Sequence, residues 1–186
     1  MLATAGVAAS LVLASAPAHA QFSASFEFLK AVTERDVGTA ARLISNNPSI
    51  INFRNADTGD TALHIAIKRS DAPWMRFLLD RGANPNARDA NGDTALHIAA
   101  TRGYTDGAVV LLAFKADINA PNDNGETPLI KAVQARQEAI VKLLMEAKAD
   151  VTIADNASGF TAVEHAERDR RASRILSMLK NGVRPE

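Results

Sequence analysis

The sequence predicts an all-α solenoid, a stack of similar helical units that share one elongated core. Three observations carry that reading. Residues 59–66, Gly-Asp-Thr-Ala-Leu-His-Ile-Ala, return letter for letter at residues 92–99, a period of 33. A second pattern, Phe77-Leu78-Leu79 followed by Gly82-Ala83-Asn84-Pro85-Asn86, returns as Val110-Leu111-Leu112 with Lys115-Ala116-Asp117-Ile118-Asn119, and again as Leu143-Leu144-Met145 with Lys148-Ala149-Asp150-Val151-Thr152. In each copy a threonine stands directly before an apolar helical run. A period of this length marks a chain whose units cannot bury their apolar faces alone and do so by stacking.

Thr61, Thr94, Thr127 and Thr161 are helix starts, where a hydroxyl can accept a bond from a free backbone N–H. Pro128 follows at the first helical position, where a missing N–H does least harm, and Pro73 starts a second helix in the same way. Asn91-Gly92 and Asn124-Gly125 precede two of the starts and supply residues tolerant of positive φ for a tight hairpin. Leu63, Leu96 and Leu129, with Leu79 and Leu112, are the side chains that neighbouring units must cover. Lys115 and Lys148 stand where the first full unit has Gly82, at a helix end that expects a left-handed residue, and a non-glycine there costs about 1–2 kcal/mol. Gly107 falls where the periodicity expects a large apolar side chain, which predicts a weakened third unit.

The third copy opens at Gly125-Glu126-Thr127-Pro128-Leu129, and a fourth, degraded one at Gly159-Phe160-Thr161-Ala162-Val163 after a one-residue insertion. With this period, the Thr-Ala/Pro-Leu-His-x-Ala segment resembles the ankyrin repeat. The resemblance implies about five helix-turn-helix units joined by β-hairpin loops, over residues 24–55, 56–88, 89–121, 122–155 and 156–186. The first unit lacks the Gly-x-Thr opening but keeps helical spacing at Phe28, Leu29, Val32, Leu43 and Ile44, and resembles an N-terminal cap.

Residues 1–20 contain no charged side chain, are rich in Leu, Val and Ala, and end in Ala18-His19-Ala20, a small-residue cleavage site. They read as a signal peptide cleaved before Gln21, which predicts a periplasmic or secreted protein. The basic residues that usually precede such an apolar core are missing, and a disordered N-terminal extension is the alternative. No stretch is long and apolar enough for stable membrane insertion.

Lys+Arg and Asp+Glu both number 21, so there is no cationic excess to release counterions from a nucleic acid. Zero cysteine excludes disulfides, thiolate metal sites and a cysteine nucleophile. There is no Gly-x-Ser-x-Gly elbow, no phosphate-binding Gly-x-x-x-x-Gly-Lys loop and no His-Glu-x-x-His helix. His64, His97 and His165 are the histidines left outside the leader. For His64 and His97 the resemblance implies hydrogen bonds that bridge loops. The expectation is therefore a protein that is not an enzyme, with no catalytic, metal or cofactor residues.

Three further features have bland readings. Asn156-Ala157-Ser158 fits a glycosylation sequon but reads as turn composition. Arg168, Arg170, Arg171 and Arg174 read as the solvated face of the last unit, with nucleic acid or acidic lipid as the lesser alternative. Trp74 reads as helix packing rather than a binding hot spot, from its spacing to Phe77 and Leu78.

The resemblance places partner binding on the concave face and the hairpin tips. The tip residues are Arg54, Asn55, Asp57, Asp60, Arg88, Asp89, Asn91, Asp93, Asn122, Asp123, Asn124 and Glu126; the first helices add Lys68, Arg69, Thr101, Arg102, Gln134 and Arg136. Asp60, Asp93 and Glu126 are expected to stack as an acidic column beside a basic edge at Arg69, Arg102 and Arg136. Such alternating stripes favour a protein partner, held by a monomer. The alternative function is an accessory or inhibitor of a specific exported enzyme or toxin, for example one protecting an oxidative-stress enzyme.

Overall fold

A computed structural model describes residues 18–182, which form ten α-helices and one short 3-10 helix. The expected leader, residues 1–20, lies outside the described residues except for its last three, which open the first helix.

The helices come in pairs. An inner row is formed by α1 (Ala18–Glu34), α3 (Ala62–Lys68), α5 (Ala95–Arg102), α7 (Pro128–Gln134) and α9 (Ala162–Arg168), each packed on the next. Behind it run α2 (Val37–Asn46), α4 (Ala72–Asp80), α6 (Thr105–Ala113), α8 (Glu138–Glu146) and α10 (Ser173–Gly182). Of these, α4, α6, α8 and α10 form a packed outer row, while α2 rests on α1 and on the 3-10 helix Pro48–Asn52.

The shortness of the helices follows from their ends. Thr61, Thr94, Thr127 and Thr161 are the N-caps of the inner helices, and Pro128 occupies the first turn of α7. Left-handed residues stop the inner helices at equivalent places: Ser70 (φ 54°), Gly103 (φ 71°) and Arg136 (φ 55°). They stop the outer ones at Gly82 (φ 89°), Lys115 (φ 62°) and Lys148 (φ 64°), so both lysines carry the conformation expected of them.

The core is one continuous column. Leu63, Leu96, Leu129 and Leu144 are buried, and so is the first unit's set of Phe28, Leu29, Val32, Leu43 and Ile44. Ala62, Ala95 and Ala162 are also buried, and their small side chains let successive inner helices approach closely. At the N-terminal end the exposed surface is mixed: Glu27 pairs with Arg42 at 2.8 Å, while Phe26 and Val37 also stand exposed.

The hairpins are turns rather than strands. Among the described residues the β pairing is a single isolated bridge, Ala154 with Thr161. Each hairpin is closed by two backbone bonds. One runs from Asn55 N to Asp60 O, Asp89 N to Asp93 O, Asn122 N to Glu126 O and Asp155 N to Phe160 O. The other runs back from the glycine N of Gly59, Gly92, Gly125 and Gly159 to the carbonyl of Asn55, Asp89, Asn122 and Asp155. Successive hairpins are tied by backbone bonds from Ala90 N to Thr58 O (3.0 Å), Asp123 N to Asn91 O (3.2 Å) and Asn156 N to Asn124 O (2.7 Å). The approach is close enough to require glycine. A Cβ on Gly59 (φ 69°) would lie 2.5 Å from the backbone N of Ala90.

A second ladder joins the turns after the outer helices. The Asn52 side-chain oxygen accepts from Asn84 N, Asn86 from Asp117 N and Asn119 from Asp150 N, all at 2.7–2.8 Å.

Gly107 overturns the expectation of a defect. It occupies the position of Trp74 and Ile140, but the space is filled by other side chains. A Cβ there would stand 2.4 Å from Tyr104 Cδ1 and 2.7 Å from Ile67 Cδ1. Missing volume at Gly107 is thus supplied by the Tyr104 ring, and the helix interior tolerates glycine to admit it. Gly107→Ala should gain about 1 kcal/mol of helix propensity and lose about 1–3 to overpacking, lowering the thermal midpoint. Thermal unfolding followed by circular dichroism checks this, and a raised midpoint contradicts it.

Candidate partner-binding surface

His64 and His97 are fully buried and occupy the third position of their helices. In unit two, Thr61 N donates to His64 Nδ1 (3.2 Å), the Thr61 hydroxyl lies 2.9 Å from the same nitrogen, and Nε2 lies 3.1 Å from Asp93 O. In unit three the same atoms of Thr94 and His97 repeat this at 3.1 and 2.9 Å, with Nε2 2.9 Å from Glu126 O. A carbonyl only accepts, so Nε2 carries the proton and Nδ1 is the acceptor. Each imidazole therefore closes its own helix start and holds the next hairpin, as the resemblance implied. Burial, outweighing the raising effect of the carbonyl hydrogen bonds, holds both histidines below the ordinary imidazole range and neutral. Ile130 takes the position in the next unit, where Thr127 alone caps, and Glu164 serves in the last.

His165 stands apart. Its Nε2 lies 2.6 Å from Asp155 Oδ2, and the Ser158 hydroxyl donates to the same carboxylate at 2.8 and 3.0 Å. A hydrolytic triad needs the imidazole between serine and acid. Here the acid lies between the other two, so the imidazole cannot take the serine proton and the group serves to close the last hairpin. Burial would raise the Asp155 carboxyl, but hydrogen bonds from the Ser158 backbone, His165 and the Ser158 hydroxyl more than offset it and hold the group at about 2. No cluster of three or more metal-ligating side chains occurs among the described residues.

Several residues expected to face a partner are consumed internally. Asp89 accepts from Asn91 N and Asp93 N, and Asn122 from Asn124 N and Glu126 N; both are buried. Asp60 is buried and bonded to Lys68 at 2.7 and 2.8 Å. Glu126 is buried and accepts from Asn122, Lys131 and Gln134. Burial tends to raise its carboxyl, but those donors outweigh burial and lower it. Asp60, Asp93 and Glu126 do stack, yet two of the three are neutralised within their own units.

The basic edge is also reduced. Arg136 is one residue out of register with Arg69 and Arg102, whose equivalent is Ala135; it occupies the left-handed turn position and pairs with Asp169 at 3.0 Å. The guanidinium of Arg69 bonds Thr33 O. Arg54 reaches Gly59 O and Asp89 O, bridging neighbouring hairpins, and Arg88 pairs with Asp123 at 2.7 Å. Asp57, Asn91, Asn124, Thr101 and Arg102 remain exposed.

Between the hairpins and the inner helices lies a depression of about 390 Å³. Lys68, Asp93, Thr101 and Arg102 line it, all from the expected set, together with Ile98 and Lys131, which that set lacks. The register could have shown both, because Lys131 follows Ile65 and Ile98 at intervals of 33. On the opposite flank Val37, Pro73, Trp74 and Phe77, with Arg35, line a smaller hollow of about 260 Å³. Trp74 is only 5% exposed and stacks edge-on with Phe77 at 4.9 Å, so it belongs to the packing. Of the terminal arginines, Arg168 lies over the Phe160 ring and Arg174 pairs with Glu138, both on an exposed face.

A family model described as "Ankyrin repeats (3 copies)" matches residues 28–122 and 107–186. Oxysterol-binding protein homolog 1 of Saccharomyces cerevisiae is 37% identical over 67 residues. That alignment covers 34% of this chain and 6% of the yeast protein. No helix among the described residues is long and apolar enough to cross a membrane.

The neutral imidazoles predict an acid-sensitive fold. Their pKa values are lowered on folding, so their contribution is complete above the unfolded value of about 6.5 and is lost as pH falls from there toward the folded values. Urea denaturation between pH 7.5 and 5.5 should show stability falling by up to about 1.4 kcal/mol per pH unit per histidine. His97→Gln should flatten that slope, and an unchanged slope contradicts the assignment.

Proposed function

The chain belongs to the ankyrin-repeat family, and from that premise we propose that it is a non-catalytic module that, as a monomer, holds one protein partner along the flank of inner helices and hairpins. Ankyrin repeats are in general protein–protein interaction modules. The observation that carries the reading is the depression of about 390 Å³ on that flank, walled by charged side chains from three successive units. A surface assembled across units, with Ile98 at its floor and exposed polar groups at its rim, suits a partner that lies across the stack. The equal numbers of acidic and basic residues favour a protein over a polyanion.

The working surface is narrower than the hairpin tips as a whole. It comprises Asn91, Asp93, Thr101 and Arg102 at its centre, with Asp57 and Asn124 at its edges. Buried side chains committed to the turns, such as Asp89 and Asn122, support the surface and do not read the partner. The proposed place of action is the periplasm or outside the cell, on the strength of the leader-like residues 1–20.

Crosslinking and affinity capture from a periplasmic fraction test this. A partner retained by the native chain should be lost with the double variant Asn91→Arg, Arg102→Glu, whose side chains make no bond within the described fold. Retention through that variant, with loss on Arg76→Glu of the outer helix α4, would place binding on the other flank and sink the proposal.

A further inference from the structure

The acidic column along the inner flank is neutralised from within at units two and four and left open at unit three. Asp60 bonds the ammonium of Lys68, eight residues on, and Glu126 bonds Gln134, eight residues on, together with Lys131. The residue eight beyond Asp93 is Thr101. Its side chain is too short to reach back, and its hydroxyl donates instead to His97 O of its own helix at 3.0 Å. Asp93 is left half-buried with a single side-chain bond, from Asn122 Nδ2 at 2.8 Å, and no cation among the described residues. Next to Thr101, the exposed side chain of Arg102 makes no hydrogen bond or ion pair with any described residue. Both open charges border the same depression.

We propose that Asp93 and Arg102 form a two-charge reading point, which takes a Lys or Arg side chain with an Asp or Glu two residues away, on the same face of an extended segment of the protein partner. This rests on the binding function proposed above and specifies its partner. The incoming ammonium or guanidinium stands at Asp93 as the Lys68 ammonium stands at Asp60, and the neighbouring carboxylate meets Arg102. Lys68 and Lys131, which flank the point, do not repel the base strongly because each is already paired, at 2.7 Å to Asp60 and 3.3 Å to Glu126. A purely acidic segment would meet the uncompensated Asp93, and a purely basic one would meet Arg102. Complementarity of this kind sets specificity more than raw affinity.

Selection of phage-displayed peptides against the full chain tests the proposal. Sequences with a basic and an acidic residue two positions apart should be enriched. A synthetic peptide from that set should bind at least about tenfold more weakly to Asp93→Asn. Thr101→Lys is the sharper variant, since it rebuilds within unit three the ion pair of unit two. It should weaken the peptide to the same degree without lowering the thermal midpoint, so the loss cannot be ascribed to unfolding. No enrichment of such pairs, or binding that survives Thr101→Lys, overturns the proposal. Peptides that lack the pair yet are lost with the double variant Asn91→Arg, Arg102→Glu would overturn this inference and leave the inner-flank reading standing. Selected peptides indifferent to every substitution on that flank would sink both.

Discussion

The imidazoles of His64 and His97 each join two units at one buried point, with Nδ1 receiving the N–H at the start of an inner helix and Nε2 meeting a carbonyl of the following hairpin. A neutral ring can accept on one nitrogen while donating on the other, which neither amino nor hydroxyl side chains do across this span. The backbone bonds between hairpins and the Asn52, Asn86 and Asn119 ladder repeat the same logic at two other heights. The Nε2 bonds of the first set and every bond of the other two run to the neighbouring unit. A single one adds only about 1 kcal/mol, so the stack depends on their repetition together with the shared column of leucine and alanine.

That regularity made the fold legible. A letter-for-letter repeat fixes which positions are equivalent, and threonine before an apolar run fixes where helices begin. Gly107 was misread because periodicity compares a position only with its own equivalents, Trp74 and Ile140. The volume comes instead from Tyr104, three residues earlier and at a position held by Asp71 and Gln137 in the neighbouring units. Lys115 and Lys148 show the converse, since their left-handed backbone follows from equivalence with Gly82 alone.

The candidate binding surface was only partly legible, for a related reason. Polar residues at hairpin tips look available in a sequence, whereas Asp89 and Asn122 are turned inward because each tight turn leaves backbone N–H groups that need an acceptor. Asp60 and Glu126 are likewise claimed by side chains eight residues on. Arg136 looked equivalent to Arg102 until the one-residue difference in register placed it in the turn after α7. What remains open is what the repeat fails to copy: unit three keeps the acid but not its internal base. On the proposed reading, departures from the repeat mark the partner-reading positions better than the repeat itself.

The central claim is that the units are interchangeable neighbours along one dimension. Removal of residues 92–124, one full period, would bring Glu126 O to the place of Asp93 O and restore every inter-unit bond to a neighbour of the same kind. The shortened chain should fold cooperatively, keep its helical circular dichroism signal per residue and melt at a lower temperature than the full chain. A shortened chain that is unfolded at low temperature would contradict the account.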